Sequence, residues 1–273
     1  MSVIVWVYVF CVGACIGSFL NVCILRWPAD ESVIRPRSKC PRCGNGLAWY
    51  DNIPVVSWFV LRARCRSCGL PISPLYPTVE ALTGLIWVAS VDYAGPTFLA
   101  LRLAIFVTIL LGIAVTDLRE YVIPDGFTVT GLLFVIAASI AGVFLGGDYP
   151  FAGPLDALFG ACVGAGAITI VGWLGEVALK KEAMGFGDST LMAMSGAALG
   201  PGRALLTVLI AAVLGAAAFL LMVIPIAWLR ARARKVEFET PLVPFGVFLA
   251  PASVVALFWG DPLLTWYIGH LTG

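Results

Sequence analysis

Long apolar stretches alternate with short polar ones along the 273 residues of the chain. A helix needs roughly 20 apolar residues to cross the hydrocarbon core of a bilayer. Five uncharged stretches meet this requirement, at 1–25, 127–147, 157–175, 204–229 and 241–260. Three others are shorter or interrupted, at 77–91, 94–116 and 189–200. The pattern predicts an all-α polytopic membrane protein with about eight transmembrane helices.

Composition points the same way. The chain is 60% hydrophobic and 12% charged, whereas soluble domains are about half apolar and a quarter charged. The formal net charge of +1 gives no long-range field for nucleic acid. We therefore expect the lipid bilayer, and not a nucleic acid, as a partner.

The distribution of basic residues predicts the orientation. With eight spans, all but Arg102 and Arg203 of the 17 Lys and Arg residues fall on one side, and short cytoplasmic loops carry such an excess. Both termini are then expected on the outer face of the membrane. The first segment lacks a basic start and a small-residue cleavage site, so we expect it to be retained and not cleaved as a signal peptide.

One polar region is long enough to form an extramembrane domain. We predict three parts: a first transmembrane helix at 1–25, a cytoplasmic loop at 26–76 and a transmembrane core at 77–273. Eight Lys and Arg residues lie in the predicted loop.

Two Cys-x-x-Cys pairs lie in this loop, Cys40 with Cys43 and Cys65 with Cys68, separated by 21 residues. Paired spacing of this kind is typical of four thiolates around Zn²⁺. A glycine follows each pair, Gly44 and Gly69, and can supply a turn with positive φ. Two disulfides or four reduced thiols are the alternatives, and a reducing compartment disfavours the disulfides. Four sulfur ligands leave no position for water, so we predict a structural zinc.

Two carboxylates lie at predicted membrane boundaries, Asp117 at the end of one span and Asp188 in Gly185-Phe186-Gly187-Asp188 at the start of another. Ionisable groups at this depth are costly and often functional, although either could be a solvated carboxylate at a loop edge. As a pair they could perform aspartic-protease chemistry, because two close carboxylates can share one proton. Gly185 and Gly187 would let an extended substrate approach the backbone.

Several short motifs follow one another in a specific order along nearly the whole chain. They are Gly17-Ser18-Phe19-Leu20-Asn21-Val22, Arg35-Pro36-Arg37-Ser38-Lys39-Cys40-Pro41-Arg42-Cys43, Asn52-Ile53-Pro54-Val55, Tyr76-Pro77-Thr78-Val79-Glu80, Asp117 followed by Ile123-Pro124-Asp125, Gly185-Phe186-Gly187-Asp188 and Pro244-Phe245-Gly246. In this order they resemble the type IV prepilin peptidase family, whose members are GxGD-class aspartyl peptidases of the inner membrane.

The resemblance implies an activity and assigns residues to it. It implies cleavage of the basic leader from type IV prepilins or type II secretion pseudopilins at the cytoplasmic face, followed in many members by N-methylation with S-adenosylmethionine. Asp117 and Asp188 would be the catalytic pair, and the four loop cysteines the zinc ligands. Asn21, Glu80 and Asp125, together with Gly185 and Gly187, match motif positions for binding substrate or cofactor.

Three departures from the family pattern bear on the second activity. Many relatives have Lys where this chain has Thr190, Arg where it has Leu75, and Pro where it has Val247. A peptidase without methyltransferase activity is therefore an alternative, since no glycine-rich nucleotide fingerprint is visible either. Proton-coupled transport by the two carboxylates is another, although no internal repeat supports it.

The basic leader of such a substrate needs an acidic partner. Glu80 and Asp125 are among the few acidic residues predicted near the site. We expect their neutralisation to weaken substrate engagement, and a leader without its Lys and Arg to be less sensitive to the change.

Overall fold

The computed structural model of the protein describes residues 2–146, 149–180, 184–234 and 243–272. Its α-helices in these ranges are α1 (Val3–Arg26), α2 (Val56–Val60), α3 (Leu75–Ala94), α4 (Phe98–Glu120), α5 (Asp125–Leu145), α6 (Pro154–Leu179), α7 (Phe186–Leu199), α8 (Pro201–Ala218), α9 (Ile224–Arg234) and α10 (Gly246–Thr272). Short 3-10 helices cover Trp27–Ala29 and Trp49–Asn52, and a π-helical turn, Phe219–Val223, joins α8 to α9. Within the same ranges, β pairing is limited to two isolated bridges in the loop between α1 and α3.

The predicted all-α, multi-pass fold is confirmed. Each of the eight predicted spans overlaps helical structure, although residues 1, 147, 241 and 242 of these spans lie outside the described residues. Six stretches in the described ranges are long and apolar enough to cross a membrane: Val3–Ala29, Phe98–Glu120, Asp125–Leu145, Pro154–Ala178, Pro201–Arg230 and Gly246–His270. The count of eight transmembrane helices is not confirmed, because α3 and α7 are not among these six.

The helix α7 is not among the membrane-spanning stretches because it has only 14 residues. At 1.5 Å per residue this is a rod of about 21 Å, whereas the hydrocarbon core is about 30 Å thick. Nine of its residues are buried, and it packs against α5, α6, α8 and α10. A helix enclosed by protein does not have to match the thickness of the lipid, so its shortness is physically consistent with a place inside the bundle.

The chain divides into two compact units, Met1–Gly112 and Ile113–Gly273. The boundary falls inside α4 and marks a division by packing. The predicted division at residues 25 and 76 separates a helix, a loop and a transmembrane core, and it stays a prediction.

In the first unit, α1 packs closely against α3 because both helices present glycine at the crossing. A Cβ atom at Gly13 would lie 2.9 Å from the Cα of Gly84, and one at Gly17 would lie 2.8 Å from the Cα of Glu80. Small residues let two membrane helices approach backbone to backbone. Substituting them would therefore push α1 away from α3.

In the second unit, α6 and α7 cross in the same way. Side chains added at Gly160 or Gly196 would overlap the backbone of the other helix, and Gly164 lies equally close to Met192. The hydroxyl of Ser253 on α10 donates to the hydroxyl of Ser195 on α7 at 3.1 Å. These contacts fix α7, which carries Asp188, in the centre of the unit.

Candidate active site and metal centre

Asp117 lies in the last turn of α4, and its side chain is held by the start of α10. The carboxylate is 5% exposed. The backbone amide of Val247 donates to its Oδ2 atom at 3.1 Å, and the amide of Gly246 also donates to it. The first amides of a helix have no partner within the helix, and they carry a partial positive charge. The α10 N-terminus is therefore a favourable seat for this carboxylate.

The glycine at the start of α10 allows this close approach. A Cβ atom at Gly246 would lie 2.7 Å from Asp117 Oδ2 and 2.8 Å from Ile123 Cδ1. Neither distance is compatible with a side chain. The glycine of the Pro244-Phe245-Gly246 motif is thus explained by the space that Asp117 needs.

Asp188 is the third residue of α7. The amide of Gly185, which caps α7, donates to Asp188 Oδ2 at 3.3 Å, in the manner of a capping box. The side chain is 9% exposed, and its carboxylate lies close enough to that of Asp117 to interact with it electrostatically. Two buried carboxylates in such proximity can share one proton, as aspartic proteases require.

Ile123 packs against two glycines of the site, Gly187 next to Asp188 and Gly246 beside Asp117. It is 9% exposed. A Cβ atom added at Gly187 would lie 2.8 Å from the Cβ of Ile123, and one added at Gly246 would lie 2.8 Å from its Cδ1. Any side chain at Gly187 or Gly246 would therefore displace Ile123. No role for Ile123 was predicted from the sequence, although its place in the Ile-Pro-Asp motif was a signal.

Asp125 is exposed at the first position of α5, two residues after Ile123. A negative charge at the start of a helix is stabilised by the helix dipole. Asp125 lies near the pair because it follows Ile123 closely in the chain. Among the described contacts, it makes no hydrogen bond to Asp117 or Asp188. Its predicted role in substrate binding stays a prediction.

Asn21 and Glu80 belong to a different cluster, in the first unit. The Asn21 side chain donates to the carbonyl oxygen of Tyr76 at 3.0 Å. Glu80 Oε2 accepts a hydrogen bond of 2.7 Å from the amide of Val55, and the Ser18 hydroxyl donates to the same carboxylate. Three motifs from the sequence thus meet where α1, α3 and the loop join. Both residues hold the loop in place, and their predicted part in binding stays a prediction.

The backbone that Glu80 holds is strained. Val55 has φ 63° and ψ −54°, and the amide of Val56 donates to the carbonyl of Pro54 at 2.6 Å, which makes a γ-turn. A β-branched residue in this region is a true outlier and costs about 1–3 kcal/mol. The hydrogen bond from Val55 to Glu80 is the contact that offsets this cost.

The four loop cysteines form a single cluster. Their sulfur atoms all lie within 4.8 Å of one another. Gly44 and Gly69 have φ of 73° and 69°, as predicted, and their amides donate to the carbonyls of Cys40 and Cys65, each at 2.9 Å. The two Cys-x-x-Cys segments therefore have the same turn, which gathers the sulfurs around one point.

The donor chemistry of this cluster suits a soft divalent metal. The backbone amides of Cys68 and Ser67 lower the pKa of the Cys65 thiol from 9.0 to about 7. Despite the amide of Leu70, burial and the sulfurs of the other cysteines raise the pKa of Cys68 to about 11. Cys65 is therefore the thiol of this pair that more readily forms the thiolate that a metal binds. None of the eight cysteines, all of which are among the described residues, forms a disulfide. The arrangement can hold one tetrahedral ion and leaves no ligand position open.

Comparisons with known proteins match both units of the chain. Residues 11–93 match the bacterial peptidase A24 N-terminal domain, and residues 104–220 match the type IV leader peptidase family. A prepilin leader peptidase/N-methyltransferase of Aeromonas hydrophila is 34% identical over 96% of this chain and 94% of its own length. The protein of that name from Pseudomonas aeruginosa is 32% identical over 94% of this chain and 91% of its own. One from Myxococcus xanthus is 47% identical over 70% of this chain, an alignment that spans 55% of the relative. No solved structure matches the chain.

Proposed function

The chain belongs to the type IV leader peptidase family, and we propose that it cleaves the leader peptide from type IV prepilins or type II secretion pseudopilins with Asp117 and Asp188 as its catalytic pair. The observation that carries the proposal is the convergence of the two buried carboxylates, each held by the amides of a different helix start. Relatives that align over most of this chain bear the name prepilin leader peptidase/N-methyltransferase.

Peptide hydrolysis at this pair needs one carboxylate as a base and the other as an acid. The base takes a proton from water, whose oxygen attacks the scissile carbonyl carbon. The acid donates a hydrogen bond and then its proton to the carbonyl oxygen. The tetrahedral intermediate collapses when the first carboxyl group gives the proton it took from water to the amide nitrogen. The C–N bond then breaks, the nitrogen becomes the new amino terminus, and the second carboxylate takes back a proton from the diol oxygen.

The setting of the pair suits a substrate that is itself anchored in the membrane. Asp117 ends one apolar helix and Asp188 begins another, and Leu118, Tyr121 and Phe186 beside them expose apolar surface. An apolar substrate helix can lie in lipid along these spans while its leader extends into water. The predicted orientation, with both termini on the outer face, puts the scissile bond at the cytoplasmic boundary.

The Cys40, Cys43, Cys65 and Cys68 cluster holds one structural Zn²⁺ in this proposal. Its ligands come from both halves of the loop between α1 and α3, so the ion ties the two halves together. Because all four positions are taken by sulfur, we assign it no part in hydrolysis.

N-methylation of the new amino terminus is the second proposed activity, and it rests on the names of the relatives. S-adenosylmethionine would supply the methyl group. The described residues contain no strand-turn-helix of the nucleotide-binding type, and no residue is assigned to this cofactor.

One co-expression experiment tests both activities. A prepilin produced with the wild-type chain should lose its leader and gain one methyl group by mass spectrometry. Asp117→Asn and Asp188→Asn should each lower cleavage about 10⁴-fold or more, because the members of a catalytic unit act together. Asp156→Asn, an exposed residue in the first turn of α6, is the matched control and should process normally.

Each result has a distinct meaning. Substantial processing by either single mutant would exclude that carboxylate from catalysis. A substrate that is cleaved but unmethylated by the wild-type chain would support a peptidase without methyltransferase activity.

A further inference from the structure

Six large apolar side chains are exposed on one part of the loop between α1 and α3. They lie on two consecutive short helices and in the three-residue segment between them, and we refer to them as the loop patch: Trp49, Tyr50, Ile53, Val56, Phe59 and Val60. Trp49 is 75% exposed, Phe59 66% and Val60 69%. Apolar side chains gathered in this way mark an interaction surface.

The loop patch is presented by a fixed framework. The guanidinium of Arg66 forms a two-pronged ion pair with Asp51, with N···O distances of 2.7 and 2.9 Å. The indole of Trp58 turns inward and donates to the carbonyl of Ile72 at 3.2 Å. Phe59 and Val60, the next two residues, therefore point outward from the same helix. Their exposure follows from an ordered structure.

The loop patch must lie close to a membrane, because its loop is joined directly to α1. The loop leaves α1 at Arg26 and enters α3 at Leu75, and α1 belongs to a stretch long and apolar enough to cross the bilayer. At this location, Trp and Tyr rings suit the boundary between headgroups and acyl chains.

The positive charge of the loop favours an anionic lipid surface over a basic peptide as the partner of the loop patch. Residues 26–76 contain eight Lys and Arg against three Asp and Glu. Arg62 and Arg64 directly follow the apolar residues of α2, and both are exposed. Basic residues close to a leaflet are attracted to anionic headgroups, whereas they would repel the basic leader of the proposed substrate.

From these observations we propose that the loop patch inserts into the headgroup boundary of the adjacent leaflet, with Arg62 and Arg64 against anionic lipid phosphates. The bilayer then holds the metal-binding loop flat on its surface. This lipid contact is separate from peptide cleavage, and it can fail while the proposed hydrolysis stands.

Fluorescence of Trp49 in the full-length, zinc-loaded protein tests the proposal. The signal of Trp49 alone is the difference between the wild type and Trp49→Phe, each reconstituted in vesicles of phosphatidylglycerol and phosphatidylcholine. A side chain buried ~5–10 Å into the boundary should be quenched about twofold by acyl chains brominated near the headgroup. Chains brominated near the bilayer centre should quench it less, and vesicles of phosphatidylcholine alone should reduce the effect.

Two variants separate the loop patch from general exposure. Phe59→Ser with Val60→Ser should abolish the quenching of Trp49 while zinc content stays that of the wild type. Ile34→Ser is the matched control, since Ile34 is 82% exposed in the same loop but outside the loop patch, and it should change nothing. If the double variant loses zinc, the comparison of anionic with zwitterionic vesicles still tests the proposal in the unaltered protein.

Three results would overturn it. Trp49 could remain unquenched in anionic vesicles, or the quenching could be independent of anionic lipid. A prepilin peptide could instead shield Trp49 in detergent while bilayers leave it unquenched, which would make the loop patch a substrate surface.

Discussion

The backbone amide of Val247 donates a 3.1 Å hydrogen bond to Asp117 Oδ2 and so joins residues 130 positions apart in the sequence. The resemblance to the family led us to expect proline at this position, and proline has no amide hydrogen to donate. The chain therefore supplies Asp117 with a contact that a proline-bearing sequence cannot make.

Val247→Pro is the first prediction. Proline is tolerated in the first turn of a helix, so α10 should still form. Loss of one hydrogen bond to a catalytic carboxylate should lower the rate of leader cleavage by about tenfold. Cleavage assays on purified protein measure this, with Val247→Ala as the control that keeps the amide. An unchanged rate would mean that the Gly246 amide alone is sufficient.

Gly246→Ala should be more severe. The new Cβ atom would lie 2.7 Å from Asp117 Oδ2, so the carboxylate has to move. A displacement of about 1 Å at a catalytic group can cost about 100-fold in rate. Gly215→Ala is the matched control in the same unit, because its Cβ would meet Phe248 at an ordinary 3.5 Å. Equal activity of the two variants would contradict the geometry described for Gly246.

The membrane helices could be predicted from the sequence because apolar runs of bilayer length have few other stable structures. The central position of α7 could not, since its 14 residues give no sign of which helices surround them. The pairing of Asp117 with Asp188 is likewise a tertiary fact, and the sequence suggested it only through the resemblance to a family.

Contacts made by backbone groups could not be predicted from the sequence. Nothing in a residue code shows that Val247 contributes through its amide. Ile123 could have been a core residue anywhere, and only the structure shows it packed against Gly187 and Gly246. Glu80 was expected to meet a basic leader, whereas the structure shows its carboxylate accepting the amide of Val55.

Removal of one sulfur should release the metal. Cys65→Ser leaves three thiolates, and we expect zinc in the purified protein to fall from one ion per chain to a small fraction of that. Cys162→Ser, which changes an exposed cysteine of α6, should retain the ion. Elemental analysis measures both. A wild-type chain purified without stoichiometric metal would contradict the assignment of all four cysteines.

Glu80→Ala should loosen the loop at its strained turn. The Val55 amide loses its acceptor, and the local cost is about 1–3 kcal/mol. Hydrogen exchange of residues 52–57 should accelerate accordingly. Glu80→Gln keeps an oxygen that can accept from Val55 and should exchange at nearly the wild-type rate. Exchange unchanged in Glu80→Ala would show that the turn is held by other contacts.

The last prediction concerns recognition of the leader, and the structure favours Asp125 over Glu80 for this role. Asp125 is exposed and lies two residues after Ile123, while the carboxylate of Glu80 already accepts a hydrogen bond from the amide of Val55. A surface charge pair is worth about 0.5–1 kcal/mol. We therefore expect Asp125→Asn to raise KM about two- to fivefold with little change in kcat, and to have a smaller effect on a substrate whose leader Lys and Arg are replaced by Gln. Asp156→Asn removes a similar helix-start charge at the other end of the α5–α6 pair and controls for the helix dipole. A double-mutant cycle of enzyme and leader measures the coupling, and additive effects would show that Asp125 does not recognise the leader charge.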